Sequence, residues 1–139
     1  MKNILGHCAC GAVEVNIREY GNFVYACHCD DCRRRGGGAH MAVDPGNSSN
    51  VDFIKGKSNI TIWIDEPIER GFCSICGCDI FWHNPADDHY CMNAELFDDI
   101  IKDASFELEL FYDHKPAYYS FSGKRKRLDR EFKEIPEQE

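Results

Sequence analysis

Short stretches in which apolar and polar residues alternate dominate the chain. Residues 12–17 alternate as a half-buried strand does, because successive side chains of a strand point to opposite faces of its sheet. Further runs rich in β-branched and aromatic residues follow, and turn-forming residues at 44–50, 55–57 and 84–88 separate them. The strands predicted in this way cover residues 12–17, 51–54, 60–64, 68–73, 80–83 and 106–111.

Helical patterns are rare in this sequence. Residues 30–35 and 98–103 each suit a single short helical turn, and no window supports a long amphipathic helix. The chain shows no fixed-period repeat and no low-complexity linker. The pattern therefore predicts one all-β domain, mainly antiparallel, with short helical turns and with its cysteine clusters at strand ends and turns.

Composition narrows the classes of function. The chain has 139 residues and a formal net charge of −8, which repels phosphate backbones and disfavours nucleic-acid binding. No apolar run reaches the roughly 20 residues that span a bilayer, so no membrane association is expected. The basic run at 124–127 precedes an acid-rich end at 129–139. We therefore predict a domain over residues 1–122 and a charged, solvated C-terminal tail over 123–139.

The cysteines carry the most specific signal. Thiolates two or three residues apart can converge on one small ion, and soft sulfur ligands select zinc over oxygen-seeking cations. A disulfide framework is the weaker interpretation, because nine is an odd number and adjacent cysteines bridge each other poorly. The first six residues also lack the apolar core of a signal peptide, so we expect a reducing, cytoplasmic location. The three clusters are Cys8-x-Cys10, Cys27-x-Cys29-x-x-Cys32 and Cys73-x-x-Cys76-x-Cys78.

The spacing predicts two zinc ions with different roles. The first and third clusters together supply one closed, structural four-thiolate site, formed by Cys8, Cys10, Cys73 and Cys76. The middle cluster then holds a second zinc through Cys27, Cys29 and Cys32. Three protein ligands leave a position open for water or substrate, which is typical of a catalytic zinc.

Several neighbouring residues leave alternatives open. His28 alternates with its cysteine neighbours, so we expect it to face away from their ion and to be structural or solvent-facing. Cys78 is either a buried free thiol or a fourth ligand that would close the second site. Cys91 is expected in the core, and His40 and His83 are expected to be core or surface histidines rather than an acid or base.

These clusters resemble those of the glutathione-dependent formaldehyde-activating enzyme family, which also contains a centromere-associated protein. The resemblance rests on residues 6–13, 27–34 and 72–77, and it extends more weakly through 92–99 and 112–119. It implies an Mss4-like, zinc-binding β fold related to zinc ribbons and the same division of the two zinc ions. In this family the middle thiol of the three-cysteine cluster is linked with glutathione by mixed-disulfide exchange, a role that falls here to Cys29.

The expected activity is that of a carbon–sulfur lyase which forms or cleaves S-hydroxymethylglutathione. A zinc with three thiolates is a weak Lewis acid for hydrolysis and is better suited to bind a fourth thiolate. Arg33 and Arg34, with Arg35 beside them, are expected to pair with the carboxylates of glutathione. The alternative is a non-catalytic zinc-binding module that carries thiols or contacts a macromolecular partner through two closed sites. The sequence does not set the oligomeric state.

Overall fold

Two β-sheets form the protein, and short helices connect their strands. The computed structural model describes residues 1–136. The strands are β1 (Lys2–His7), β2 (Glu14–Glu19), β3 (Phe23–Cys27), β4 (His40–Gly46), β5 (Val51–Lys55), β6 (Ile60–Asp65), β7 (Ile68–Cys73), β8 (Asp79–Asn84), β9 (His89–Asn93), β10 (Ser105–Leu110) and β11 (Lys126–Arg127). The helices are α1 (Asp30–Gly36) and α2 (Asp98–Asp103), with single 3-10 turns at Ser48–Asn50, Lys57–Asn59, Ala94–Leu96 and Tyr112–His114. Within this part of the chain, no helix has the length and apolarity to cross a membrane.

The sheets are mainly antiparallel, as the sequence predicts. The small sheet has the order β1-β2-β5 and the large sheet the order β11-β10-β3-β4-β9-β8-β7-β6. Strand β10 runs parallel to both β3 and β11, whereas the other pairs are antiparallel. Two parallel neighbours require a long connection along the chain. The chain between β3 and β10 indeed includes most strands of the large sheet.

The core includes buried side chains from both sheets. Ile4 and Ile17 of the small sheet belong to the same buried cluster as Val43, Phe81 and Met92 of the large sheet. Val43, Met92 and Phe81 pair in register across β4, β9 and β8, so they form one row on the core-facing side. Fully burying each such side chain contributes about 1.5–3 kcal/mol. The residues that alternate with this row point to the opposite side of the large sheet.

Every predicted strand and both predicted helical turns are present, with shifts of one or two residues at most ends. One predicted turn is partly wrong, because residues 44–46 belong to the end of β4. The pairing of β4 with β9 shifts register between Val43 and Gly46, and this irregularity accommodates Pro45 in a strand.

The C-terminal segment differs from the solvated tail that the sequence predicts. Lys126–Arg127 extends the large sheet as β11, and the side chains of Arg125 and Arg127 are only 8% and 16% exposed. Both guanidinium groups contact the carboxylate of Glu109, which is fully buried. A buried carboxylate needs cationic partners, and this need draws the basic run onto the sheet. Residues 137–139 of the predicted tail lie outside the described residues.

Candidate metal centres

The first cysteine group lies where the two sheets meet. Cys8 and Cys10 follow β1, Cys73 ends β7, and Cys76 lies in the turn before β8. The sulfur of Cys10 lies 3.7 Å from that of Cys8 and 3.8 Å from that of Cys73. Thiolates bound to zinc at ~2.3 Å in a tetrahedron are separated by about 3.8 Å. These four sulfurs lie within 4.8 Å of one another, so the group has the geometry of a closed four-thiolate site.

Backbone N–H groups stabilise negative charge on these sulfurs. The pKa of Cys76 is lowered to about 6 because the N–H groups of Cys78 and Cys10 donate hydrogen bonds to its sulfur. The turn that directs the N–H of Cys78 passes through Gly77, whose φ of 77° suits glycine. The N–H of Val13 donates to the sulfur of Cys8 at 3.3 Å. The pKa values of Cys8 and Cys76 are therefore both lowered, which favours their thiolate forms.

The second cysteine group lies on the other side of the large sheet. Cys27 ends β3, Cys29 caps the N-terminus of α1, and Cys32 lies within that helix. Their sulfurs lie within 4.8 Å of one another, and all three residues are partly exposed. The extended backbone points Cys27 and Cys29 the same way, and the helical turn returns Cys32 to them.

Cys29 is the member of this group that most favours the thiolate form. Hydrogen bonds from the thiols of Cys27 and Cys32 lower its pKa to about 2, assisted by the backbone N–H groups of Cys32 and Asp31. The N–H of Cys32 lies 3.3 Å from the sulfur of Cys29. The same hydrogen bonds raise the pKa values of Cys27, to about 11, and of Cys32. The group therefore concentrates its negative charge on the middle sulfur.

His28 is structural, as its alternation with the cysteines predicts. Its ring is fully buried on the side of the strand away from the sulfurs of Cys27 and Cys29. Its Nε2 lies 2.7 Å from the carboxylate of Glu109, and its Nδ1 lies 2.7 Å from the hydroxyl of Tyr119. Both ring nitrogens are thus engaged, and the ring anchors the segment between the two cysteines.

The two remaining cysteines lie outside both groups. Cys78 packs partly buried against the core, and its sulfur lies 3.6 Å from the backbone oxygen of Asp79. Within residues 1–136 it joins neither cluster, so the second group keeps three cysteines. The prediction of a core position for Cys91 is wrong. Cys91 is half-buried and lines a cavity on the outer side of the large sheet.

That cavity has a volume of ≈ 550 Å³. The three cysteines of the second group border it, and aromatic and aliphatic side chains such as Tyr25, Trp82 and Leu108 form much of its wall. A smaller cavity of ≈ 270 Å³ adjoins Cys32 and is lined by charged residues, among them Arg35 and Asp79. His40 and Arg70 line both cavities, so the second group faces apolar space on one side and polar space on the other.

The arginines near this group contact different partners. Arg33 donates to the backbone oxygen of His28 at 2.9 Å and pairs with Asp30, so it also braces the turn into α1. Arg35 pairs with Asp31 and lies 4.6 Å from the ring of Trp63. Arg70 also pairs with Asp31.

Sequence reasoning missed the position of Arg70. It lies on β7, almost forty residues from the cluster, and only strand pairing brings it to the cavities.

Residues 3–114 match the model of a protein family described as "Glutathione-dependent formaldehyde-activating enzyme". The fold is similar to that in a crystal structure of a Rhodobacter sphaeroides protein, with a TM-score of 0.59 and 23% sequence identity. That match covers 74% of this chain and 99% of the other. No curated protein sequence matches this chain.

Proposed function

Because this chain belongs to the glutathione-dependent formaldehyde-activating enzyme family, we propose that it is a zinc-dependent carbon–sulfur lyase. Its reaction joins glutathione and formaldehyde as S-hydroxymethylglutathione and cleaves that adduct in reverse. The observation that carries this proposal is the three-cysteine group, whose partly exposed sulfurs border an accessible cavity.

Two zinc ions serve this function. The first, held by Cys8, Cys10, Cys73 and Cys76, is structural, since four thiolates complete a tetrahedron. The second, held by Cys27, Cys29 and Cys32, is catalytic. The position of Cys78 away from this group supports an open fourth site. When bound, the second zinc lowers the pKa of an incoming thiol, as metal ions do for their ligands.

The reaction forms one bond between sulfur and carbon. The thiolate sulfur of glutathione donates an electron pair to the formaldehyde carbon, and the C=O π pair moves to oxygen, which then takes a proton from solvent. The reverse step returns that proton and breaks the bond between carbon and sulfur. The protein gathers the two partners beside the open position that Cys27, Cys29 and Cys32 leave.

Guanidinium groups around the second site are the proposed partners of the glutathione carboxylates. Arg33 and Arg34 follow the cysteines on α1. Arg35 and Arg70 line the adjoining smaller cavity, and both already pair with the carboxylate of Asp31. A bidentate pair with a glutathione carboxylate would fix the peptide relative to the metal.

A comparison of glutathione with S-methylglutathione tests the proposal. Both keep the carboxylates and the amine, but the thioether cannot become a thiolate and so forfeits the metal bond. We expect calorimetry to show much weaker binding of the methylated ligand, with zinc retention followed in parallel because an incoming thiol can displace a protein ligand.

The matched variants are Cys29→Ser, which should lose thiol-dependent binding, and Cys78→Ser, which should keep it. Equal affinity of the wild type for both ligands, or no binding of either at millimolar concentration, would favour the non-catalytic zinc-binding module. Zinc retention with glutathione bound, followed by formaldehyde-dependent adduct formation, would support the lyase.

A further inference from the structure

Three side chains with different donor atoms converge on the wall of the cavity that the three-cysteine group also borders. Asp44 supplies a carboxylate, His89 an imidazole and Cys91 a sulfur, and these atoms lie within 4.8 Å of one another. All three residues line the cavity of ≈ 550 Å³. The side chains of His89 and Asp44 are 40% and 37% exposed, so an ion could reach them from solvent.

The strands place these donors together. His89 and Cys91 are two residues apart on β9, so they point to the same side of the sheet. Asp44 lies on the neighbouring strand β4, within the register shift between Val43 and Gly46. An irregularity of this kind redirects a side chain, and here it coincides with the carboxylate that faces β9.

Neighbouring groups orient the donors as the surroundings of a metal site do. The N–H of Gly46 donates to Oδ1 of Asp44 at 3.2 Å. The hydroxyl of Tyr25 hydrogen-bonds the sulfur of Cys91. The rings of Trp82 and His89 are nearly perpendicular, with 6.2 Å between their centroids. Each donor is therefore held toward the other two by contacts outside the trio.

We propose that Asp44, His89 and Cys91 form a further metal site that binds a divalent transition-metal ion of the zinc class. The donor set of one oxygen, one nitrogen and one sulfur excludes calcium and magnesium, which require oxygen ligands. Burial raises the pKa of the Cys91 thiol to about 11, so the ion must displace this proton when it binds. The carboxylate and the resulting thiolate then balance the two positive charges of the ion. Three protein ligands leave its fourth position open toward the cavity.

Binding requires a small movement of two side chains. Nε2 of His89 and Oδ1 of Asp44 are hydrogen-bonded at 2.8 Å, whereas oxygen and nitrogen ligands of a tetrahedral zinc are about 3.4 Å apart. A rotation of these partly exposed side chains supplies the difference. Because this site has one thiolate instead of three or four, it should release its ion to a chelator before the two cysteine groups do.

Zinc content of matched variants tests this site independently of the lyase activity. Wild type, His89→Ala, Cys91→Ser and Cys78→Ser are purified through a chelator wash, equilibrated with micromolar zinc, desalted and assayed by elemental analysis. Wild type and Cys78→Ser should each gain one ion per chain on equilibration. His89→Ala and Cys91→Ser should gain none while melting at the wild-type temperature.

Cobalt added to the chelator-washed protein gives a second measurement. Wild type and His89→Ala keep the Cys91 sulfur, but only wild type should bind one cobalt ion with sulfur-to-cobalt absorption and without releasing zinc. An equal zinc gain in all four proteins would overturn the proposal. So would cobalt absorption that persists in Cys91→Ser, or cobalt uptake matched by zinc release. If Cys91→Ser does not fold, the His89→Ala result decides.

Discussion

Glu109 holds the most consequential charge outside the cysteine groups. It is fully buried and contacts His28, Arg125 and Arg127 at 2.7–2.9 Å. Glu109→Gln keeps the shape of the side chain but leaves two guanidinium groups without their anion. Breaking a buried pair in this way costs about 3–5 kcal/mol. We expect a loss of this order in the free energy of unfolding, measured by urea denaturation.

Asp52→Asn is the matched control for that measurement. Asp52 pairs with Arg18 at 2.8 Å, but the Arg18 side chain is 61% exposed. Exposed pairs of this kind contribute about 0–1 kcal/mol. Equal losses in the two variants would contradict the role assigned to the buried network.

The ionisation of Glu109 also gives stability a pH dependence. Burial opposes its charge, but hydrogen bonds from Arg125, His28 and Arg127 outweigh burial and hold its pKa below the ordinary value. A lowered folded-state pKa adds stability above the unfolded-state pKa, and this stability is lost as pH falls through the folded-state value. The difference in unfolding free energy between wild type and Glu109→Gln should therefore shrink in acid. A difference that stays constant from neutral pH into acid would contradict this prediction.

At the residue scale, sequence reasoning worked where the informative neighbours are close along the chain. The alternation of His28 with Cys27 and Cys29 was enough to place its ring away from their sulfurs. Cys91 was misplaced because its partner Asp44 lies almost fifty residues away, on a strand whose pairing the sequence does not specify. Arg70 escaped notice for the same reason.

At the level of the strands and their connections, the turn after β5 has no space for a side chain at Gly56. Gly56 has φ of 73°, and a Cβ placed there would lie 1.8 Å from the backbone oxygen of Ala12. Gly56→Ala must move the chain that leads from the first cysteine pair into β2. We expect a loss of about 1–3 kcal/mol, as for other overpacked sites, measured by thermal and urea unfolding.

Gly38→Ala is the control for that substitution. Nothing lies within 4 Å of a Cβ at Gly38, and its φ is not positive. Its unfolding free energy should stay within about 0.5 kcal/mol of wild type, as for other surface changes. A loss equal to that of Gly56→Ala would show that the contact with Ala12 is not the cause.

The strands that were predicted from the sequence differ in residue pattern from those that were missed. Ile68–Cys73 was predicted with its observed bounds, which lie between Pro67 and the turn that holds Cys76. Phe23–Cys27 was missed because its apolar residues form a continuous run that ends in the three-cysteine group. His40–Gly46 was missed because its proline and glycine are typical of a turn. The local pattern of residues does not predict a strand that forms because of its pairing with adjacent strands.

On the scale of the whole molecule, the four-cysteine group joins the two sheets. Cys8 follows the first strand of the small sheet, and Cys73 ends a strand of the large one. Cys73→Ser removes a buried ligand of the proposed structural zinc, and metal binding free energy is also folding free energy. A loss of about 3 kcal/mol lowers Tm by roughly 10 °C in a domain of this size.

Cys29→Ser is the comparison for Cys73→Ser, because its group lies within one short segment of the large sheet. We expect a smaller fall in Tm together with the loss of glutathione binding. Equal falls in thermal melts would undo the division between a structural and a catalytic site.

The salt-bridged network around Glu109 also bears on the order in which segments of the chain fold during translation. Cys27, Cys29 and Cys32 leave the ribosome early, Glu109 leaves much later, and Arg125 and Arg127 leave later still. Before those arginines emerge, a buried Glu109 would lack both of its guanidinium partners. We therefore expect β10 to stay undocked in the nascent chain. On this expectation, the three-cysteine group reaches its folded arrangement only after Arg125 and Arg127 have been translated. A chain stopped after residue 122 should emerge with the first metal group assembled and the second still open to thiol reagents.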